Sequence, residues 1–220
     1  MMAEPYTIVR SNRKTIALVI DREAKLVVRA PYRVKDKVIA SFIKEKEQWI
    51  LEKQRKLMSL REKHIPLLFA DGESIMYLGN TLKIIRRPLD KIIIDDTSFY
   101  IPLQFSKIDI VDWLKGEARN TISQRAAYYA DLMGVSFKAV KISEAKSRWG
   151  SCSAKDSLNF AWRLIMCPLP AIDYIVVHEL SHIEYKNHGK LFWARVKNIL
   201  PNYQEQQAWL KANHLLMQII

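Results

Sequence analysis

The sequence predicts an α+β protein in two parts: a mainly β module with one long helix over residues 1–105, and a helix-rich module over 106–220. Three observations predict it. Apolar residues alternate along short segments in the first half but recur every three or four positions in the second, the respective periods of strand and helix. Turn formers such as Asp71-Gly72 and Gly79-Asn80 punctuate the first half, as between short strands. Of the 220 residues, 49 % are hydrophobic, enough for packed cores and against wholesale disorder.

Taken in order, Tyr6–Arg10 and Thr15–Ile20 read as strands flanking Ser11-Asn12, and Lys25–Arg29 follows the polar turn Asp21-Arg22-Glu23. A helix is expected from Val34 to about Lys63, with Val38, Phe42, Ile43, Trp49 and Ile50 as an intermittent apolar face. Its later half is strongly charged, the mark of a solvated face. Ser74–Tyr77, Thr81–Arg86, Lys91–Asp95 and Ser98–Ile101 read as further short strands. Lys107–Met133 is helical, with Ile110, Trp113, Leu114, Ala118, Ile122, Ala126, Tyr129 and Leu132 inward and Gly134 as the stop. Lys138–Ile142 and Leu158–Met166 read as strands, and Pro168-Leu169-Pro170 introduces the next helix. Leu191–Ile199 and Gln204–Met217 are expected helices, split by Pro201.

The helix after Pro170 carries the chemistry. Its apolar run Ile175-Val176-Val177 leads into His178-Glu179-Leu180-Ser181-His182, and His188 follows. Residues i and i+4 share a helix face, so His178 and His182 present their imidazoles together. This is the H-E-x-x-H spacing, two metal-binding histidines with a carboxylate placed as general base. Chance gives about 0.006 such matches for this composition, so the motif is specific. Catalytic zinc usually takes three protein ligands, and His188 is the natural third. Glu184 is the rival, but it would point to a different face.

Other polar residues carry less. Trp149, Trp162, Trp193 and Trp209 read as core. Arg148 and Arg163 could pair with a helix carboxylate such as Asp173 or contact a substrate carbonyl, the first being favoured because the guanidinium fork suits local pairing. Tyr185 and Tyr203 are both candidates for an oxyanion-stabilising hydroxyl. Cys152 reads as a small packed residue.

Composition bounds the setting. The formal net charge is +12, but the excess is spread over both halves with no run of five basic residues, so it implies at most nonspecific nucleic-acid association. No apolar run approaches a membrane span, the N-terminus lacks a signal-peptide pattern, and two cysteines make no secreted framework. A cytoplasmic protein is expected.

The flanks of the motif carry a resemblance. Lys146-Ser147-Arg148-Trp149-Gly150-Ser151-Cys152-Ser153 lies upstream, followed by Asn159-Phe160-Ala161-Trp162-Arg163, and Asn187-His188 precedes Phe192-Trp193. Arg13-Lys14-Thr15-Ile16 and Tyr77-Leu78-Gly79 extend the likeness toward the N-terminus. This order resembles the YgjP-like metallopeptidases, which are similar to WLM and SprT-type zinc proteases. Metzincins share the histidine spacing but have Gly where this chain has Tyr185, so that class is not implied. The resemblance implies a zincin-like C-terminal catalytic domain, its motif helix packed on a small antiparallel sheet. It further implies Zn²⁺ on His178, His182 and His188, Glu179 as base, and a peptide or protein substrate. An extended peptide would pair with an edge strand, and Leu158–Leu164 is expected as that edge. The competing expectation is a nucleic-acid- or protein-binding adaptor with a structural or vestigial metal site, which would have no use for Glu179.

Overall fold

The computed structural model describes residues 6–21, 24–62 and 67–218. The chain divides into two compact units, Met1–Ile65 and Pro66–Ile220.

In the first unit, β1 (Thr7–Ser11), β2 (Ala17–Ile20) and β3 (Leu26–Pro31) form a sheet in the order β1-β3-β2. The β1–β3 pair is parallel and β2–β3 antiparallel. Alternate residues of β3, Leu26, Val28 and Ala30, are buried against Ile39, Ile43 and Ile50, as a strand with one covered face requires. The last three come from α1 (Asp36–Glu45) and α2 (Glu47–Glu62). The single helix expected here is therefore two, broken at Lys46, and its expected end at Lys63 lies outside the described residues, as do Arg22 and Glu23 of the expected turn. The buried stripe is also rotated from the expected one: Val38 and Trp49 are exposed, because Ile39 and Ile43, four apart, define the covered face.

The second unit begins with β4 (Ser74–Tyr77), β5 (Asn80–Arg87), β6 (Ile93–Ile94) and β7 (Ser98–Pro102), a mixed sheet in the order β4-β5-β7-β6. Next comes α3 (Lys107–Met133). It starts at a reciprocal cap between Ser106 and Asp109 and ends at Gly134 in the left-handed region, φ 65°, where glycine meets no steric penalty. Ile110, Leu114, Ala118, Ile122, Ala126 and Ala130 form one buried row at four-residue steps. Leu132, expected inward, is exposed.

The second sheet of this unit is β8 (Ala139–Ser143), β9 (Gly150–Cys152) and β10 (Ser157–Ala161), in the order β8-β10-β9. It is mixed, since β8–β10 is parallel and β9–β10 antiparallel; the wholly antiparallel sheet expected from the sequence is corrected here. Leu158 sits in the middle strand and so cannot be a peptide-accepting edge. The expected strand to Met166 also stops early, giving way to a 3-10 turn at Trp162–Met166. The helices α4 (Leu169–Glu184), α5 (Lys190–Ile199) and α6 (Tyr203–Ala212) complete the unit.

One core runs from Leu67 to Leu216 and joins residues on both sides of position 105. Phe99 of β7 meets Trp113 of α3 with ring centroids 5.5 Å apart, and Tyr77 of β4 donates to Glu117 of α3 at 2.8 Å. The boundary expected at 105 therefore falls inside a packed unit, and the observed division lies at 65/66. Gly79 (φ 85°) closes the β4–β5 turn so near Pro168 that an added Cβ would lie 2.8 Å from it. The N–H of Leu78 donates to Ile165 at 2.8 Å, fixing that turn against the entry to α4. No helix among the described residues is long and apolar enough to cross a membrane.

Candidate metal centre

The motif lies on α4, which begins where Pro168 and Pro170 give up no needed N–H. Ala171–Val177 is buried on every side, making this a core helix that reaches the surface only near its two ends. Arg125 of α3 grips Asp173 with two hydrogen bonds of 2.5 and 2.7 Å, one and a half turns before His178. Arg163 was an expected partner of Asp173; it is instead buried, 4.5 Å over the Trp162 ring and paired with Glu144. Among the tryptophans expected in the core, Trp162 is fully buried while Trp149, Trp193 and Trp209 are partly buried against it.

His178 and His182 come from adjacent turns of α4, and the short link after Glu184 brings His188 back. Tyr185 leaves the helix in extended geometry, φ −122° and ψ 99°, and the Gly189 N–H donates to the Asn187 carbonyl at 2.8 Å. Gly189 itself has φ −77°, so the reversal does not use glycine's freedom. One ring nitrogen from each of His178, His182 and His188 lies within 4.8 Å of the others. Glu184, the rival third ligand, turns away to Arg195 at 2.8 Å.

The chemistry of these donors fits a metal ion. Nδ1 of His182 is 3.0 Å from the Tyr185 carbonyl, so it carries the proton and leaves the Nε2 lone pair free, the usual arrangement of a ligating imidazole. Nε2 of His178 and Nε2 of His188 are 3.0 Å apart, near the ~3.3 Å required of two imidazoles on one tetrahedral ion. Burial first, then the neighbouring His182 and His188, depress the His178 pKa to about 3, and burial also lowers that of His182. Both are therefore neutral, the form that binds metals.

An aromatic wall backs the cluster. Phe192 is fully buried and lies 4.9, 4.7 and 4.7 Å from the rings of His178, His182 and His188. Trp193 stacks on His188 and on Tyr203, which stacks in turn on Tyr174. Of the two oxyanion candidates, Tyr203 is thus part of this wall, and Tyr185 serves His182 through its backbone.

Glu179 is 5 % exposed. Burial raises its pKa to about 7 against the lowering effects of the Cys152 N–H and the Arg148 charge. The Cys152 bond follows from strand register. Ser153 donates to Ser157, and Ala161 to Trp149, so odd-numbered residues of β9 face β10 while the amides of Gly150 and Cys152 face the free edge. Glu179 sits at that edge. A Cβ at position 150 would lie 2.8 Å from both its Cγ and Oε1, so only glycine leaves the carboxylate its space. Gly150 entered the sequence reading only through a resemblance, and Cys152 otherwise only as a small packed residue; the available signal was a glycine beside a strand-forming tryptophan, which marks close backbone approach.

Residues 14–213 match the family described as YgjP-like, metallopeptidase domain. No curated protein matches the chain. Among solved structures, the metallopeptidase zymogens abylysin of Pyrococcus abyssi and jannalysin of Methanocaldococcus jannaschii are each 19 % identical, with TM-score 0.39. Each match covers 42 % of this chain, and 93 % and 95 % of those chains.

Proposed function

Because the chain belongs to the YgjP-like metallopeptidase family, we propose that it is a zinc-dependent peptidase of zincin-like build, with His178, His182 and His188 as ligands and Glu179 as general base. Family membership implies a metal and a peptide or protein substrate; zinc is favoured because imidazole donors in an all-histidine set suit it. The observation that carries the reading is the convergence of three histidine nitrogens within 4.8 Å, with a buried carboxylate on the next residue of the same helix turn. When bound, the ion supplies Lewis-acid polarisation of a carbonyl and acidifies water.

The chain's own residues do the rest. Glu179 takes the proton of the attacking water and returns it to the departing amine. Burial raises its pKa to about 7 in the metal-free protein, and a bound cation would lower it again and keep the carboxylate ionised, ready to accept that proton. The Cys152 N–H holds the carboxylate in place, and Phe192 keeps the back of the histidine cluster dry. Gly150 offers its N–H and C=O along the free edge of β9, where an extended peptide adds as a further strand. This replaces the expected Leu158–Leu164 edge, whose strand residues lie in mid-sheet.

The test is Glu179→Gln on a pool of peptides, with zinc content measured alongside. Hydrolysis should fall about 10²–10⁴-fold while zinc is retained. Equal rates for parent and variant would remove Glu179 from the mechanism, and a zinc-loaded parent that cuts nothing in the pool would favour an adaptor.

A further inference from the structure

The outer face of the β8-β10-β9 sheet carries a basic cleft that the reaction above does not use. Register sets Lys141, Asn159 and Ser151 side by side across the three strands. Their neighbours along the middle strand, Leu158 and Phe160, are fully buried, so the Lys141-Asn159-Ser151 row belongs to the opposite face. The cleft over that face has a volume of about 860 Å³, and its lining includes Lys138, Lys141, Arg148 and Lys155 but no carboxylate. None of these four cations is in an ion pair with a described residue. Asp156, the nearest acid in sequence, is taken by Lys186 at 3.0 Å.

Four cations around one concavity, with the hydroxyl of Ser151 and the amide of Asn159 between them, make a site for anions. The lining has no aromatic ring, whereas sequence-tolerant binding of single-stranded nucleic acid relies on aromatic stacking. Carboxylates on a polypeptide fit better. Position links the cleft to the metal centre: Ser151 and Cys152 line it, and they belong to the strand whose free edge holds Glu179. Arg148 and Lys155 stand just beyond the two ends of that strand. Alternate side chains of an extended peptide point the same way, about 6.6–6.8 Å apart, so a chain laid along β9 turns every second side chain toward these cations.

We infer that this basic cleft is a specificity site, selecting polypeptide substrates with acidic side chains on alternate positions beside the scissile bond. The inference rests on the peptidase reading and extends it to substrate class. Lys155, just past the end of β9, and Lys141, across the sheet on β8, determine the preference.

Binding is measured with the zinc-loaded Glu179→Gln protein, full chain, so that nothing is cut. The probe is a fluorescein-labelled twelve-residue peptide alternating Glu with Ser, read by anisotropy at fixed ionic strength. The charge reversals Lys141→Glu and Lys155→Glu, combined, should weaken its binding about tenfold or more, with circular dichroism and zinc content as in the single variant. Equal affinity with and without the reversals overturns the inference. So does a parent affinity for a twelve-nucleotide single strand that exceeds the affinity for the acidic peptide. Cleavage of a mixed peptide pool by the otherwise unaltered protein, read separately, speaks to the peptidase reading alone.

Discussion

The Glu179 carboxylate fills the space that a side chain at position 150 would need, 2.8 Å from where that Cβ would stand. Helix α4 supplies the acid and strand β9 the gap, so the acid's position depends on a residue that has no side chain at all. Gly150→Ala must push one of the two aside. Displacing a base by about 1 Å costs on the order of 10²-fold in rate. Peptide hydrolysis by Gly150→Ala should fall by that much with zinc content unchanged. Wild-type rates in the variant would show that the carboxylate tolerates the shift.

Loss of a ligand reads differently from loss of the base. His188→Ala should bind zinc at least about 100-fold more weakly, since even indirect partners of ligands contribute 10–100-fold. His214→Ala, an exposed histidine far along the chain, should keep the metal. Competition with a chromophoric chelator measures both. Full occupancy in the His188 variant would put the third ligand elsewhere.

In metal-free protein, Glu179 makes stability depend on pH. Its folded pKa of about 7 lies above its ordinary 4.5, so its stabilising contribution is complete below 4.5 and is lost as pH rises through 7. Glu179→Gln has no such loss. The variant should therefore exceed the parent in stability by about 3 kcal/mol at pH 8, the gap closing below pH 4.5. His178, depressed to about 3, works in the opposite direction between 6.5 and 3, but equally in both proteins. Thermal unfolding in chelator at pH 4, 6 and 8 follows the difference; a gap independent of pH would exclude titration of Glu179 as its source.

The Arg125–Asp173 pair fixes α3 against α4 upstream of the motif. Arg125→Met keeps the apolar stem and strands a mostly buried carboxylate. A loss of about 2–3 kcal/mol is expected, visible in urea titration. An unchanged midpoint would mean that Asp173 is resolvated at no cost.

The elements legible in the sequence were those whose signal is local. Helix α3 runs from Lys107 to Met133 as read, because its stop at Gly134 and its apolar period are local; the Ser106 cap that starts it emerges only from the structure. The motif helix and the pairing of His178 with His182 are legible for the same reason: i, i+4 spacing is geometry. Strand β9 was not legible, since Gly150, Ser151 and Cys152 have no strand preference and owe their conformation to pairing with β10. That pairing is also what puts Leu158 in mid-sheet and frees the edge beside Glu179. The unit boundary was hidden because a core is shared by side chains distant in sequence, such as Phe99 and Trp113. Lys46 interrupts two helices whose charge pattern continues smoothly across it.

Phe192 touches all three imidazoles from the buried side, which closes that approach. Ions, chelators and peptides must come from the solvent side, where His188 is exposed. Occupancy by a peptide should then slow the stripping of zinc without changing its intrinsic affinity, so metal retention becomes partly a matter of how busy the protein is. An idle molecule would lose its ion fastest, and a chelator time course with and without a non-cleavable peptide would register the difference as a change in rate alone.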